Sequence, residues 1–149
     1  MPEQADMDSL RKRIDNDAFA KLVGIEYEEV RGGYCRARMK IGPKHLNLFD
    51  APHGGAVFTL ADAVFAGSCN GYGEMAVAVS VTIDYMTPVR LGTVLVAEGT
   101  EISRTRKIGH YNLEIKNEAG DLVSRAKGTA YFLGKTVTEW ESMRKEKGD

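Results

Sequence analysis

The chain has 149 residues, of which 43% are hydrophobic and 28% are charged, and its formal net charge is -1. This is the balance of a globular domain that buries one core, and the near-neutral charge argues against a nucleic-acid partner. Because no apolar run reaches about 18 residues, the sequence also predicts no membrane-spanning helix.

The cysteines and the N-terminus indicate the cellular compartment of the protein. Cys35 and Cys69 lie in no metal-binding pattern, and the first 17 residues lack the apolar core of a signal peptide. We therefore expect a cytoplasmic protein with reduced, mostly buried thiols. Without repeats or linkers, residues 1–149 are interpreted as a single domain.

An amphipathic helix is predicted over residues 7–23, because apolar side chains recur there every three or four positions. Asp8 or Ser9 would cap its start, and Gly24 would end it. Two large apolar side chains would dock this helix onto the next element: Phe19 and Leu22.

Six segments rich in β-branched, aromatic and small residues predict strands. They are Ile25 to Val30, Tyr34 to Ile41, Met75 to Tyr85, Val94 to Ser103, His110 to Asn117 and Leu122 to Leu133. Residues 136–149 form a charged tail, a short helix at most. Trp140 and Met143 are the only large apolar anchors in it.

Between the second and third strands, a helix is predicted from Gly54 or Gly55 to about Asn70, with a glycine suited to its left-handed C-terminal position. The helix is apolar on almost every face, which is typical of a helix covered by other elements. The sequence therefore predicts an α+β fold, in which one curved antiparallel sheet surrounds this long helix.

Asp62 is the single acid of the central helix. Its bland interpretation is a structural carboxylate with a partner, or one that happens to face water. Its apolar neighbours leave no obvious solvent face, however, and an ionised carboxylate is costly there unless it is paired. A carboxylate in an apolar cleft suits a general base or nucleophile, because burial raises its pKa toward the working range.

His53, Gly54 and Gly55 precede that helix. Helix N-termini present unpaired N–H groups that suit an oxyanion, and glycine lets the backbone approach a ligand. The alternative is a flexible helix start with His53 as a cap. Ser80, in an apolar strand, needs a hydrogen-bond partner if buried, whereas the default role of Asn47 is turn chemistry.

The basic residues Arg104, Arg106 and Lys107 are interpreted as a solvated turn or, alternatively, as an anchor for a phosphorylated ligand. The three histidines lack metal-ligand spacing, and no phosphate-binding glycine loop is present.

The pattern N-x5-H-G-G-x2-F-x-L-A-D-x2-F-A resembles that of hotdog-fold acyl-CoA thioesterases, in the PaaI-like (phenylacetic acid degradation) branch. The residues that carry it are Asn47, His53, Gly54, Gly55, Phe58, Leu60, Ala61, Asp62, Phe65 and Ala66. The resemblance spans about Ile25 to Leu133 and includes the downstream Ser80.

The resemblance implies hydrolysis of an acyl-CoA without metal or organic cofactor. Asp62 would be the base or nucleophile, the Gly54 N–H would polarise the thioester carbonyl, and Ser80 would orient water. Asn47 and His53 would position the thioester or the attacking water. Substrate would also be bound by Gly55 and, through the CoA phosphates, by basic residues: Arg90, Arg104, Arg106 and Lys107.

The same resemblance implies a site shared between subunits of a dimer, often paired again into a tetramer. One departure is Asp50, where many relatives carry glycine. Two other functions stay open from the sequence: a hotdog enoyl-CoA hydratase or dehydratase, and a non-catalytic acyl-CoA-binding module.

Overall fold

The structure, a computed structural model, describes residues 3–148. Six strands form one sheet: β1 (Ile25–Arg31), β2 (Tyr34–Lys40), β3 (Glu74–Tyr85), β4 (Val94–Arg104), β5 (Ile108–Asn117) and β6 (Leu122–Thr136). The strand order is β1-β2-β4-β5-β6-β3, and every neighbouring pair is antiparallel. The predicted strands are thus all present, and several extend one to three residues further than expected.

Four helices accompany the sheet: α1 (Gln4–Asp15), α2 (Ala18–Val23), α3 (Gly54–Asn70) and α4 (Val137–Lys147). The long helix α3 contacts all six strands, which requires the sheet to curve around it. Apolar side chains of both elements fill the space between them, and Leu60, Val64 and Phe65 on α3 are buried. The predicted α+β architecture is confirmed.

Two glycines let the sheet approach α3 closely. A Cβ atom at Gly99 would lie 2.7 Å from the Val64 carbonyl oxygen, and one at Gly128 would lie 2.8 Å from ring atoms of Phe65. These separations are shorter than van der Waals contact, so larger side chains would push the helix from the sheet. The helix is therefore held at a fixed depth in the sheet.

The single helix predicted over residues 7–23 is wrong, because the structure has two. The chain leaves helical conformation at Asn16, and the Asp17 side chain accepts a hydrogen bond from the Ala20 N–H to cap α2. Gly24 ends α2 in the left-handed conformation, as predicted. The first helix begins at Gln4, so Asp8 and Ser9 do not cap it.

Phe19 and Leu22 do not dock, which corrects a second expectation. Their exposed fractions are 59% and 68%. The break between α1 and α2 rotates the second helix relative to the first, and the small Ala20 becomes the buried residue of α2.

The end of α3 also differs in detail from the prediction. Gly71 follows the helix with φ -60°, and the left-handed glycine is Gly73, two residues later. A Cβ atom at Gly71 would lie 2.1 Å from the Arg31 carbonyl oxygen. Close backbone approach, rather than positive φ, therefore requires glycine at this position.

The predicted charged tail is a regular helix, α4. Thr136 and Glu139 cap it reciprocally, each side chain accepting from the other residue's N–H. Its buried anchor is Val137, which corrects the expectation that Trp140 and Met143 hold it; Trp140 is half-buried and Met143 is exposed.

Cys35 and Cys69 are buried and free of disulfide, as predicted, and burial raises the pKa of each thiol to about 12. Within residues 3–148, no helix is both long and apolar enough to cross a bilayer.

Candidate active site

The chain enters α3 through a short loop that two histidines hold in place. His45 is buried; its Nδ1 accepts from the Gly42 N–H, and its Nε2 lies 2.5 Å from the Val23 carbonyl oxygen. That carbonyl can only accept, so Nε2 carries a proton and donates it. Because Nδ1 accepts and so carries no proton, the ring is neutral. The His45 carbonyl oxygen accepts in turn from the His53 N–H, at 2.7 Å. His45, which the sequence did not single out, therefore positions the start of α3.

His53 caps α3, as one of its two interpretations predicted. Its Nδ1 accepts from the Gly55 N–H at 2.8 Å. A Cβ atom at Gly55 would lie 3.0 Å from that Nδ1, so glycine leaves room for the ring. Because Nδ1 accepts, the neutral ring carries its proton on Nε2.

The two N–H groups of the glycine pair differ in availability. The Gly55 N–H is occupied by His53, whereas the Gly54 N–H has no acceptor among the described residues. Gly54 is the first residue of α3, where the helix dipole favours negative charge. Of the two, Gly54 is the one that can donate to a ligand oxygen.

Tyr85 fixes the orientation of this helix start. Its hydroxyl donates to the Gly54 carbonyl oxygen at 3.0 Å, and its ring would lie 3.3 Å from a Cβ atom at Gly54. Tyr85 ends β3, so the first peptide of α3 is tied to the edge of the sheet. No local sequence pattern predicts this contact, since 31 positions separate the two residues.

Asn47 performs the turn chemistry that was its default interpretation. Its Oδ1 accepts from the N–H groups of Phe49 and Ala51, at 2.8 and 3.2 Å. Its amide nitrogen makes no hydrogen bond to the described residues and so keeps two donors. In the same loop, exposed Asp50 has φ 58°, a conformation glycine adopts without cost and Asp tolerates. This explains why glycine suits position 50.

Asp62 is exposed within one chain, which corrects the expectation of a helix without a solvent face. The open stripe of α3 runs along one face through exposed or half-buried residues: Gly55, Thr59, Asp62 and Ala66. Their spacing of four, three and four is that of one helix face. The Asp62 carboxylate accepts no hydrogen bond and forms no ion pair within residues 3–148.

This stripe lies on the side of α3 turned away from the middle of the sheet, whose strands contact Val64 and Phe65. Asp62 follows Gly54 by eight residues, which places it about 80° around the helix from the position that meets Tyr85.

The pKa of the Asp62 carboxyl is raised above its usual value. The main cause is that surrounding atoms partly shield the carboxyl from water, even though the residue as a whole is exposed. The negative charge of Asp17 raises the pKa further. The negative charge of Asp62 in turn raises the pKa of Tyr27, although burial, Asp17 and Cys35 each raise it more. Asp17, the cap of α2, is thus a second acid that influences Asp62, and only the unpredicted helix break places it there.

Asp62 and Gly54 cannot act on one atom within a single chain. Eight residues of helix separate them, about 12 Å at a rise of 1.5 Å per residue. The carboxylate and the open N–H are therefore brought onto the same helix but not to the same point.

Ser80 lies at a bulge in β3, where Val79 and Ser80 together oppose Thr129. After the bulge, Val81 and Ile83 pack against the core, so alternation turns Ser80 to the outer face of the sheet. Ser80 is exposed and makes no side-chain hydrogen bond within the described residues. The structure does not bring it to Asp62 within one chain.

The predicted basic residues do not form one group. Arg104 is committed to Glu74, at 2.6 Å, and stacks over the rings of Tyr72 and Phe132. Arg106 and exposed Lys107 lie in the next turn, beyond the end of β4.

Arg90 is exposed in the loop before β4. Strand β4 spans about 30 Å. Arg90 precedes it, so Arg90 lies at the opposite end of the sheet from Arg104, Arg106 and Lys107. The loop that carries Arg90 is held beside the end of β2, because its Gly92 N–H donates to the Ile41 carbonyl oxygen.

No group of three or more His, Cys, Asp or Glu side chains in residues 3–148 has the geometry of a metal site. The start of α3 and the loop before it hold three donors that have no acceptor among the described residues: the Gly54 N–H, the Asn47 amide and the His53 Nε2–H.

Comparison with known proteins gives these features a context. A family model described as the thioesterase superfamily matches residues 51–124, which hold the glycine pair, α3 and Asp62. A putative esterase of Archaeoglobus fulgidus is 39% identical over 116 residues, covering 78% of this chain and 75% of that protein.

The acyl-coenzyme A thioesterase PaaI of Escherichia coli is 35% identical over 124 residues, 83% of this chain and 89% of its own length. The structure of that PaaI protein superimposes with a TM-score of 0.83 and covers 88% of this chain and 95% of that one. A hypothetical thioesterase of Streptococcus pneumoniae, solved with coenzyme A, has a TM-score of 0.77 at 26% identity, and the match covers 84% of this chain and 98% of that one.

Proposed function

Because this chain belongs to the thioesterase superfamily, in its PaaI-like hotdog branch, we propose that it hydrolyses acyl-CoA thioesters to a free acid and CoA. The observation that carries the proposal is Asp62. It is a carboxylate with no partner in the described chain and a raised pKa, on the helix whose start presents an open N–H. A proton acceptor and an oxyanion donor are the two groups that thioester hydrolysis needs.

In the proposed mechanism Asp62 removes a proton from a water molecule, and the resulting hydroxide attacks the thioester carbonyl carbon. Negative charge develops on the carbonyl oxygen, where the Gly54 N–H donates to it. The tetrahedral intermediate then expels CoA as a thiolate, which takes up a proton, and the acid is released. The raised pKa suits Asp62 to act as a base, because a stronger base removes the proton more readily.

Asn47 and His53 position the carbonyl in this scheme. The loop hydrogen bonds already use the acceptor atoms of both side chains, so each has only donors left for a ligand. Donors suit a carbonyl oxygen, not an attacking water that must lose its proton. Ser80 lies on the outer face of the sheet and takes no part in this scheme, whereas Arg90 is the candidate for holding a CoA phosphate.

The separation between Asp62 and Gly54 supports a site that takes its acid from one subunit and its loop from another. The edge strand β3 supports a dimer of this kind. It has 12 residues, one unpaired edge, and exposed Val77 and Val79, a combination prone to pair with another strand.

Antiparallel pairing of two β3 strands would extend the sheet and set two α3 helices side by side. The small residues around Asp62 would then permit close approach of the second copy, and Asp62 of one subunit would face the loop of the other. We extend the proposal to this dimer, and to its pairing into a tetramer.

Thiol release from short-chain, long-chain and arylacetyl CoA esters tests the function. Asp62→Asn keeps the shape and removes the base, so it should lower kcat by two or more orders of magnitude with little change in KM. Asp15→Asn, an exposed acid on α1, is the matched control and should behave as the parent. Full activity of Asp62→Asn refutes the mechanism, and absence of thiol release with any ester refutes the function.

Two further arms separate the remaining functions. Hydration of an enoyl-CoA without thiol release would assign a hydratase, and tight acyl-CoA binding without turnover would assign a binding module.

Mixing inactive variants tests the shared site. Asp62→Asn and His53→Ala homodimers, dissociated and re-associated together, should form mixed dimers that contain one intact site. Activity should then return to as much as about a quarter of the parent's, because half of the dimers are mixed and each has one of two sites. No recovery, with subunit exchange shown by mass, would place the whole site within one chain.

A further inference from the structure

The helices α1 and α4 form a pair whose facing surfaces no thioesterase step uses. They run parallel, because Asp6 on α1 meets Thr138 on α4, and Ser9 and Arg13 meet Glu141. The Asp6 carboxylate accepts from the Thr138 N–H and hydroxyl, at 3.1 and 2.7 Å. Both helices lie outside the residues that the thioesterase family model matches.

A cleft of about 560 Å³ lies between these two helices, and we call it the α1–α4 cleft. That volume is within the range of small-molecule sites. Its lining residues are Ser9, Lys12, Arg13 and Asn16 from α1 and Glu141, Arg144 and Lys145 from α4. The α1 residues recur every three or four positions, so one helix face supplies them. Four cations and a single carboxylate therefore share one cavity, in a chain whose overall charge is -1.

The one carboxylate is already engaged. Glu141 accepts from the Arg13 Nε at 2.7 Å and from the Ser9 hydroxyl at 3.2 Å. Lys12, Arg144 and Lys145 have no carboxylate within 4.0 Å among the described residues. Cations near the last turns of α1 and α4 interact favourably with the helix dipoles. That explains their positions along each helix, but not why both helices turn them toward one cavity.

Trp140 supports the arginines of this cleft. The guanidinium carbon of Arg13 lies 4.5 Å from its ring centroid and that of Arg144 lies 5.1 Å away. Stacking on an aromatic ring restricts a guanidinium while leaving its N–H donors available. The cleft thus has two partly ordered guanidinium groups, two ammonium groups, a hydroxyl and an amide.

We propose that the α1–α4 cleft binds the phosphate groups of a nucleotide. Planar guanidinium groups beside ammonium groups match multiply charged phosphates better than a single carboxylate, and binding would neutralise cations that now repel one another. A short cleft between two helices fits a small ligand better than a nucleic acid, which needs an extended surface. Two sources share this chemistry: the nucleotide end of CoA, and a free nucleotide. The proposal does not depend on the thioesterase function.

Trp140, the only tryptophan of the chain, reports directly on the cleft. Excitation of the full-length protein at a wavelength selective for tryptophan should show a saturable change with adenosine 3′,5′-bisphosphate and with CoA. Adenosine, which has the ring but no phosphate, should give none. Because phosphate contacts are electrostatic, the dissociation constant should rise with salt.

Probe choice separates the two sources. If CoA binds, and adenosine 3′,5′-bisphosphate competes with acyl-CoA in the thiol-release assay, the cleft holds the nucleotide end of the substrate. If ATP binds more tightly than pyrophosphate and does not compete with acyl-CoA, the ligand is a free nucleotide. If none of these probes binds, by fluorescence or by calorimetry, the proposal is wrong.

Substitutions place the binding in the cleft. Calorimetry should show at least about ten-fold weaker binding for Arg144→Gln with Lys145→Gln, since each charged contact contributes substantially. Lys147→Gln, on the same helix but outside the lining, should bind as the parent. Glu141→Gln removes the only carboxylate and keeps hydrogen-bonding capacity, so it should bind more tightly, a change that misfolding would not produce. Unchanged affinity in the double variant, or weaker binding in Glu141→Gln, would overturn the proposal.

Discussion

Asp6→Ala should undock α1 from α4 and measurably destabilise the protein. Asp6 is 2% exposed, and its Oδ1 takes two hydrogen bonds from Thr138, the second residue of α4. The carboxylate therefore caps a helix 132 positions away and places negative charge at its N-terminus. Burial alone would raise the pKa of Asp6, but these hydrogen bonds outweigh it, and the pKa is lowered.

The size of the effect follows from the two bonds. Each hydrogen bond to an ionised group contributes about 1.5–3 kcal/mol when it is fully shielded. The helix pair lies at the protein surface, where water replaces part of what is lost, so we expect a total of about 2 kcal/mol. For a chain of this size, about 2–4 °C of Tm corresponds to each kcal/mol, which gives a decrease of about 4–8 °C.

Thermal unfolding at a fixed protein concentration measures the decrease in Tm of Asp6→Ala, and Asp8→Ala is the control. Asp8 is also on α1 but exposed, and it accepts only from the Gln4 side chain; its loss should cost under about 0.5 kcal/mol. A lowered pKa means that Asp6 stabilises above its unfolded-state pKa, near 4, and that this contribution is lost as the pH falls through the lower folded pKa.

Parent and Asp6→Ala should thus differ by a constant amount at pH 5–7 and converge below pH 4. A difference that is the same at pH 3 and pH 7, or no larger than the control's, would refute the assigned role.

Three further changes test the site and its support. Asp17→Asn keeps the α2 cap but removes the charge that raises the Asp62 pKa, so the acid limb of the kcat/KM profile should move to lower pH; an unmoved limb would exclude the coupling. Tyr85→Phe removes the hydrogen bond to Gly54 and should cost about 0.5–1 kcal/mol in urea unfolding, while kcat falls more than KM rises. Gly128→Ala replaces a strand glycine by alanine, a change that is normally favourable. Here it should lower the free energy of unfolding by about 1–3 kcal/mol, because the added Cβ would clash with the ring of Phe65 on α3.

The sheet and its central helix could be predicted from the sequence because their signals are local. Alternating apolar and charged residues from Tyr34 onward mark β2, and an apolar run of helical length marks α3. Each strand was located within three residues, since its ends carry Gly, Pro or Asn. The local pattern also required one sheet face to be covered, and α3 was the only element apolar enough to cover it.

Long-range partners could not be predicted in this way. Asp6 bonds to α4, Tyr85 to Gly54 and His45 to Val23, and no spacing rule joins such positions. The break at Asn16 was missed for a related reason. Apolar periodicity continues across it, whereas hydrogen bonds of Asn16 to Lys12 and Arg13 end α1 and the Asp17 side chain, which accepts from the Ala20 N–H, starts α2.

The error about Asp62 concerns what covers α3, not the helix itself. Apolarity correctly indicated that α3 must be covered on nearly every face, but it could not say by which chain. The protein's own sheet covers all but the stripe that contains Asp62, and the residues beside the acid there are glycine, threonine and alanine. Small uncharged residues have no advantage on a helix face that contacts water. A helix face that packs against a second copy of the chain needs them for close approach. In the proposed dimer, the second subunit would remove water from Asp62 and raise its pKa further.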